Sequence, residues 1–203
     1  RAQVVAAKGH QVTGSGSPEE FFPAAVLRKS GIPVTTTFAA KNVPPKTNIV
    51  VHSAAYTDSN PEIKEAKVRD LRVMVYPEAL GEISKDMFAI GVAGMHGKTT
   101  TTAMLGLTLV ENGFDPTVVV GSRVPQFGNM NARLGSSNVL VAETCEYRRH
   151  FLHFSPCAII ITGIEPEHLD YFRDAADIYE AFLESDERLR PVRPQARDRL
   201  HDR

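Results

Sequence analysis

The chain has almost no net charge, only two cysteines and no long apolar run, and each shortage excludes a class of protein. Lys plus Arg (23) and Asp plus Glu (24) nearly cancel over 203 residues, leaving a formal net charge of −1 and a sequence pI near 6.7. That balance provides no global basic field to hold nucleic acid or an anionic membrane. Cys145 and Cys157 are too few for a disulfide framework and lack the paired spacing of a zinc site, so free thiols in a reducing compartment are expected. No stretch is long and apolar enough to span a bilayer, and no charged-then-apolar leader opens the sequence, which predicts a cytoplasmic protein without membrane insertion. No internal repeat is visible. What is present is a composition of 42% hydrophobic and 23% charged residues, that of a globular protein and not of a disordered, collagen-like or coiled-coil chain. The first residue is Arg, not Met, which reads as a fragment.

Predicted helices and strands alternate. A helix over residues 2–8 stops at Gly9 and precedes a short strand at 11–13; a second helix over 24–30 stops at Gly31 and precedes an extended stretch at 33–36. Residues 48–53 (NIVVHS) read as a buried strand. Residues 60–70 follow as a helix with Asn60 as its cap and Pro61 in its first position. A strand at 72–75 and a short helix at 78–85 complete a first unit, with a boundary expected near residue 86. In the second unit, strands are expected at 88–92, 117–120, 139–142 and 158–162. A helix over 99–112 is expected to turn Ala103, Leu107 and Val110 inward, and one over 174–187 to turn Ile178, Ala181 and Phe182 inward. Residues 121–137 read as a long polar loop and the Arg-rich stretch 188–203 as a solvated tail. Alternation of this kind argues for α/β architecture, parallel sheets with helices on their faces.

The strongest local signal is the run from Gly91 to Thr100, GVAGMHGKTT, set between an apolar strand and an amphipathic helix. Glycines let successive backbone N–H groups turn toward phosphate oxygens, and the helix that follows presents its positive end. Lys98 would meet the β- and γ-phosphates, and the Thr99 hydroxyl would ligate Mg²⁺. Gly94, Met95, His96, Gly97, Lys98, Thr99 and Thr100 are therefore the candidate ATP-binding residues. The glycines are spaced G-x-x-G-x-x-G-K-T, with Val92 where a strict Walker A loop has its first glycine. Two later strands run into Glu143 and toward His168. If the strands are parallel, Lys98, Glu143 and His168 share the carboxyl edge where open α/β sheets bind ligands. Thr99, Glu143 and His168 are the candidate metal ligands; because His is an unusual ligand for Mg²⁺, Mn²⁺ is a second candidate.

Residues 94–102 (GMHGKTTTT), 141–156 (VAETCEYRRHFLHFSP) and 162–172 (TGIEPEHLDYF) resemble the Mur ligase family, as does 127–135 (FGNMNARLG). Residues 48–55, 60–66 and 76–84 resemble the family's UDP-binding domain. The resemblance implies a Rossmann-like UDP-sugar-binding domain over 1–86 and a P-loop ATP-binding domain over 87–187, each incomplete. It implies an ATP-dependent carboxylate–amine ligase in peptidoglycan synthesis. ATP would phosphorylate the lactyl carboxylate of UDP-N-acetylmuramate, and the amine of L-alanine would displace phosphate from the acyl phosphate. Lys98 would be catalytic, Thr99, Glu143 and His168 would hold the metal, and the chain alone would be inactive. Sister readings are a ligase adding a tripeptide to the same sugar or glutamate to folate; the short stretch 147–156 argues against the tripeptide enzyme. A non-catalytic nucleotide-binding fragment is the reading from another class. The family's TNIEPDH-type motif reads TGIEPEH here, with Gly163 and Glu167 substituted; Cys145 replaces an Asp, and Gly16 stands where the family's GSD has its carboxylate.

Ser53, Asn131 and Arg133 are candidates to touch the UDP-sugar, with ordering of their own loops as the alternative. Arg148 and Arg149 could meet a phosphate or a carboxylate, with a solvated pair as the alternative; His150 and His153 read as packing or surface hydrogen-bonding residues and not as a metal pair, and Cys145 as a packed thiol.

Overall fold

The computed structural model describes residues 2–17, 22–165 and 170–191. Two compact units divide between Ala79 and Leu80. In the first, helix α1 (Ala2–Ala7) precedes strand β1 (Gly14–Ser15), which pairs in parallel with β2 (Val34–Thr35) after helix α2 (Phe22–Lys29). Pairing falls on Gly14 and Ser15, opposite Val34 and Thr35, and not on residues 11–13. Strand β3 (Ile49–His52) pairs in parallel with β4 (Arg72–Val75) across helix α3 (Pro61–Val68). Asn60 caps α3 as expected, accepting the Glu62 N–H, and Pro61 takes the first turn. Strand β3 departs from the buried run read in NIVVHS: Ile49 and Val51 are 48% and 50% exposed, so its faces alternate instead. Glu62 organises this unit: its carboxylate accepts from the Ser15 hydroxyl at the end of β1, from Asn42 Nδ2 at 2.7 Å and from the Ala39 N–H at 3.3 Å. Helix α4 (Tyr76–Ser84) runs through the division.

The second unit is built on a five-stranded sheet. Strands β5 (Phe88–Ala93), β6 (Thr117–Val124), β8 (Val139–Glu143) and β9 (Ala158–Ile161) are parallel, and β7 (Met130–Arg133) is antiparallel; the order is β7-β6-β8-β5-β9. Stretch 121–137, read as a loop, is instead the far part of β6, a 3-10 turn at Pro125–Phe127 and β7. The reversal passes through Gly128 and Asn129 at φ 68° and 59°, the two residue types that tolerate left-handed backbone most readily.

Successive strand residues face opposite sides of the sheet. Val92, Val118, Val120, Val139 and Val141 form one core, against which Ala103, Leu105 and Leu109 of helix α5 (Lys98–Glu111) pack. Ala93 and Met95 join Phe151, Phe172, Ile178, Ala181 and Phe182 in the other, so helix α6 (Ala175–Glu187) presents the inward face expected of it. Helix α5 is rotated from expectation: its buried residues are Thr102 and Gly106, not Leu107 and Val110. A Cβ on Gly106 would stand 2.7 Å from Val118 Cγ2, so the glycine lets helix and strand approach closely. Arg188 and Arg190 also differ from the expected solvated tail. Arg188 donates to Leu152 O at 2.7 Å, and the Arg190 guanidinium reaches the carbonyls of Ser84, Lys85, Met87 and Ser155. The remainder of that tail, from 192 on, lies outside the described residues.

Gly106→Val should lower stability by about 2 kcal/mol, the overpacking cost outweighing any gain in helix propensity. A urea midpoint equal to that of the unsubstituted chain would refute the close-approach account.

Candidate active site

The loop after β5 sits at the carboxyl edge of the parallel strands. Gly94 has φ 125°, and a Cβ there would collide with Thr162 Oγ1 and lie 2.8 Å from Gly163 O. Only glycine therefore lets the loop pass under the segment that leaves β9. Gly97, at φ 77°, opens helix α5 with no atom within 4 Å of where its Cβ would be. The loop is fastened from the β9 side: Met95 N–H donates to Gly163 O at 3.0 Å, and the Thr162 hydroxyl to His96 O at 2.5 Å. Backbone N–H groups at the start of α5 thus face an open, left-handed turn, the arrangement that receives phosphate.

Parallel pairing sets Val92 opposite Glu143 and carries the carboxylate to the same edge. Glu143 Oε2 accepts from the Thr99 hydroxyl at 2.8 Å and from the Gly121 N–H at 2.7 Å, joining α5, β6 and β8. A hydroxyl and a carboxylate oxygen in contact are the donor set of a hard divalent cation, which takes its remaining ligands from water and phosphate. Mg²⁺ fits these residues. Among the described residues no group of three His, Cys, Asp or Glu converges as a complete metal cage. His168, the third candidate ligand, lies outside the described residues, as does Glu167.

Lys98 is turned back onto its own loop. Its ammonium donates to Gly94 O, to Met95 O at 3.2 Å and to Glu146, whose two oxygens stand 3.3 and 3.2 Å away. The Glu146 side chain is 1% exposed and that of Lys98 15%. Sequence reasoning missed Glu146; the only available signal was a second carboxylate three residues after Glu143. Arg148 and Arg149, at φ 52° and 56°, follow it in left-handed backbone that non-glycine residues adopt at a cost. Arg149 holds that turn by donating to Asp177 at 2.8 Å and Glu184 at 3.2 Å, so of its expected partners it meets carboxylates, on α6.

The other candidates are more scattered. His96 is exposed, with Nε2 3.9 Å from Glu165. Ser53 stands exposed just beyond β3 in the first unit, its hydroxyl accepting the Ala55 N–H. Asn131 lies in β7, half-buried. Arg133 pairs with Val118 near the amino end of β6, away from the phosphate loop; its guanidinium binds Asp115 at 2.6 Å and Pro116 O at 2.8 Å. The structure does not bring it to Lys98. Cys145 is exposed where a packed thiol was expected. Local desolvation first, and the Glu146 charge second, push that thiol above its ordinary range, which weakens it as a nucleophile. His150 is held below its usual value, mainly by desolvation and then by His153 and Arg148.

A parallel sheet with a glycine loop, a lysine and a hydroxyl–carboxylate pair at its carboxyl edge is the arrangement of the α/β proteins that bind nucleotide phosphates. Comparisons with known proteins narrow that class. Residues 1–87 match the model described as Mur ligase family, catalytic domain, and residues 92–190 the Mur ligase middle domain. The chain belongs to the Mur ligase family. A UDP-N-acetylmuramate–L-alanine ligase of Desulfitobacterium hafniense (strain Y51) is 50% identical over 191 residues, 94% of this chain and 42% of that protein. The ligase of the same name from Treponema pallidum (strain Nichols) is 42% identical over 189 residues, 93% and 39% respectively. The crystal structure of UDP-N-acetylmuramate–alanine ligase from Thermotoga maritima matches with a TM-score of 0.79 at 30% identity, covering 92% of this chain and 44% of that one. That of UDP-N-acetylmuramate:L-alanyl-gamma-D-glutamyl-meso-diaminopimelate ligase from Neisseria meningitides matches with a TM-score of 0.80 at 25% identity, covering 93% and 64%. The chain thus spans about two-fifths of the length of the curated relatives it matches. Among the described residues no helix is long and apolar enough to cross a membrane.

The Arg133 anchor has a pH signature. Hydrogen bonds from Ser136 first, then from Arg133, lower the Asp115 carboxyl from 3.8 to about 2. A depressed carboxyl contributes stability fully above its unfolded value and loses it as pH falls through the folded one, here between pH 4 and 2. Because the Asp115 side chain is 42% exposed, solvent screening reduces the contribution to about 1 kcal/mol. Asp115→Asn should flatten the acid limb of a stability–pH profile by that amount; an unchanged limb would show that the pair contributes nothing.

Proposed function

We propose that this chain supplies the UDP-sugar-binding and ATP-binding parts of a ligase that joins L-alanine to UDP-N-acetylmuramate, in peptidoglycan precursor synthesis. The observation that carries the reading is the contact of Thr99 with Glu143 beside Lys98 at the mouth of the glycine loop. The 50% identity to a ligase of that name supports the choice of substrates. Residues 1–86 would hold the UDP-sugar, Ser53 and Asn131 being candidates to touch it, and residues 87–187 would hold ATP. Arg133 remains the weakest of the three substrate candidates because its guanidinium is already engaged. A cytoplasmic setting suits the nucleotide substrates and the two free cysteines.

The residues divide the work as follows. Gly94 to Thr100 would cradle the phosphates through backbone N–H groups and the end of α5. Lys98 would leave its carbonyl partners to reach the β- and γ-phosphates and stabilise the transferring group. Thr99 and Glu143 would hold Mg²⁺, with His168 the third candidate ligand; the ion neutralises phosphate charge when bound, and Mn²⁺ would serve similarly. An oxygen of the lactyl carboxylate attacks the γ-phosphorus and ADP departs, leaving an acyl phosphate. The alanine nitrogen then attacks the carbonyl carbon, loses a proton, and the tetrahedral intermediate expels phosphate as the amide forms. The sister reading, a tripeptide attached to the same sugar, has the Neisseria structure in its favour, but only at 25% identity. The short connection from β8 to β9 also disfavours it.

Lys98→Ala should weaken ATP binding by about tenfold or more, the loss of a charge-assisted contact, and AMP far less, because AMP lacks the phosphates that Lys98 reaches. Equal losses for ATP and AMP, read by titration calorimetry, would count against the phosphate-loop assignment. Glu143→Ala should abolish the gain in ATP affinity that Mg²⁺ confers; a gain of unchanged size would remove Glu143 from the metal site. Incubated with ATP, Mg²⁺, UDP-N-acetylmuramate and L-alanine, this chain should form no amide, since acyl transfer needs a water-poor enclosure that two-fifths of a ligase does not supply. UDP-N-acetylmuramyl-L-alanine above the Lys98→Ala background would overturn that expectation.

A further inference from the structure

Glu146 is a carboxylate that the phosphate-loop chemistry does not require, yet among the described residues it is one of the most deeply buried charges, and it is aimed at Lys98 of the loop. Its side chain is 1% exposed, and Lys98 Nζ stands within 3.2 to 3.3 Å of both its oxygens. The ammonium has three donors, and the structure directs them to Gly94 O, Met95 O and Glu146. Lys98 is therefore neutralised in place. Among the described residues at the loop, the charges of Glu143 and Glu146 outweigh that of Lys98, and the positive end of α5 restores only part of the balance. Glu146 cannot swing away freely. Arg149 N–H donates to its carbonyl at 2.8 Å and Phe151 N–H to the Cys145 carbonyl at 2.8 Å. The left-handed pair Arg148 and Arg149 that follows is clamped to α6 through Asp177 and Glu184.

Resting on the nucleotide reading above, we propose that Glu146 is a specificity-determining residue: by neutralising Lys98 it makes the loop reject metal-free nucleoside triphosphate and accept the metal complex. The physical basis is simple electrostatics at short range. A buried carboxylate repels every uncompensated phosphate charge, and free triphosphate carries about two more of these than its Mg²⁺ complex. In the complex, the ion beside Glu143 offsets that charge, and Lys98 can be shared between Glu146 and phosphate. Without the ion the triphosphate has to draw Lys98 off a buried carboxylate and is repelled by it, which is unfavourable.

The test compares ATP affinity in excess Mg²⁺ with ATP affinity in EDTA for this chain and its variants. Glu146→Gln keeps the shape and removes the charge, so the ratio of the two affinities should fall by about tenfold, chiefly because free ATP gains. Glu146→Asp keeps the charge and should keep the discrimination. A merely structural role would lower both affinities together and leave their ratio alone. If Glu146→Gln does not fold, as judged by circular dichroism, Glu146→Met offers a second neutral side chain of similar volume. If neither folds, Lys98→Ala removes the ammonium from between the ligand and Glu146, and its ratio should widen instead of holding constant. An unchanged ratio in the folded variant, with ATP binding still dependent on Lys98, overturns the proposal and leaves the nucleotide site standing. Absence of ATP binding to the unsubstituted chain in either buffer overturns both.

Discussion

A one-residue slip of β8 against β5 would dismantle the site, because alternate strand residues face opposite sides of a sheet. In the observed register Phe88 meets Val139 and Val92 meets Glu143, so the four residues Val139 to Ala142 are buried before the strand surfaces at the carboxylate. The same ladder continues on the other side of β5, where Ala93 meets Ile161. The pairings bring the ends of three strands level, and the residues that follow each end can then touch. Thr162 reaches back under the glycine loop, Thr99 reaches Glu143, and Gly121 donates to the same carboxylate. Apolar burial sets this register and the polar contacts follow from it.

Charge is compensated in a nested way around the loop. Lys98 is matched by Glu146, whose following turn is held by Arg149, which is matched by Asp177 and Glu184 on α6. Arg173 and Arg188 close the chain of pairs, Arg173 on Asp177 and Arg188 on Glu184. The Asp177 carboxyl lies below its usual range, through its bonds with Arg173 first and Arg149 after. The outer members of this network are exposed and individually weak. Their contribution is to keep strained backbone in one conformation behind a buried carboxylate.

Much of this was legible from local patterns. The strand–glycine–lysine–helix run, the Asn60 cap with Pro61, and the apolar spacing of Ile178, Ala181 and Phe182 each depend on neighbours a few residues apart. What was not legible depends on distant partners. Helix α5 turned its Gly106 side to the sheet because Val118, in the next strand, needs the space; helical periodicity alone favoured the larger Leu107. Residues 121–137 are polar enough to read as a loop, and only pairing with β6 makes β7 a strand. Glu146 gave no sign of its partner, since Lys98 lies 48 residues earlier. Arg133 looked available for substrate until Asp115 and Pro116 came into contact with it.

The hydrogen bond from the Arg190 N–H to the Pro156 carbonyl, at 2.8 Å, ties the far end of α6 back to the start of β9. At the opposite edge of the sheet lies the antiparallel strand β7. Parallel neighbours require a crossover of about a dozen residues, usually a helix, and α6 is such a segment, packed on one face of the sheet. From there the chain returns to Pro156, just before β9 begins, with Arg190 anchored to the surrounding carbonyls. Arg190 thus works as a hinge pin that fixes the end of α6 to the carbonyls beside the start of β9.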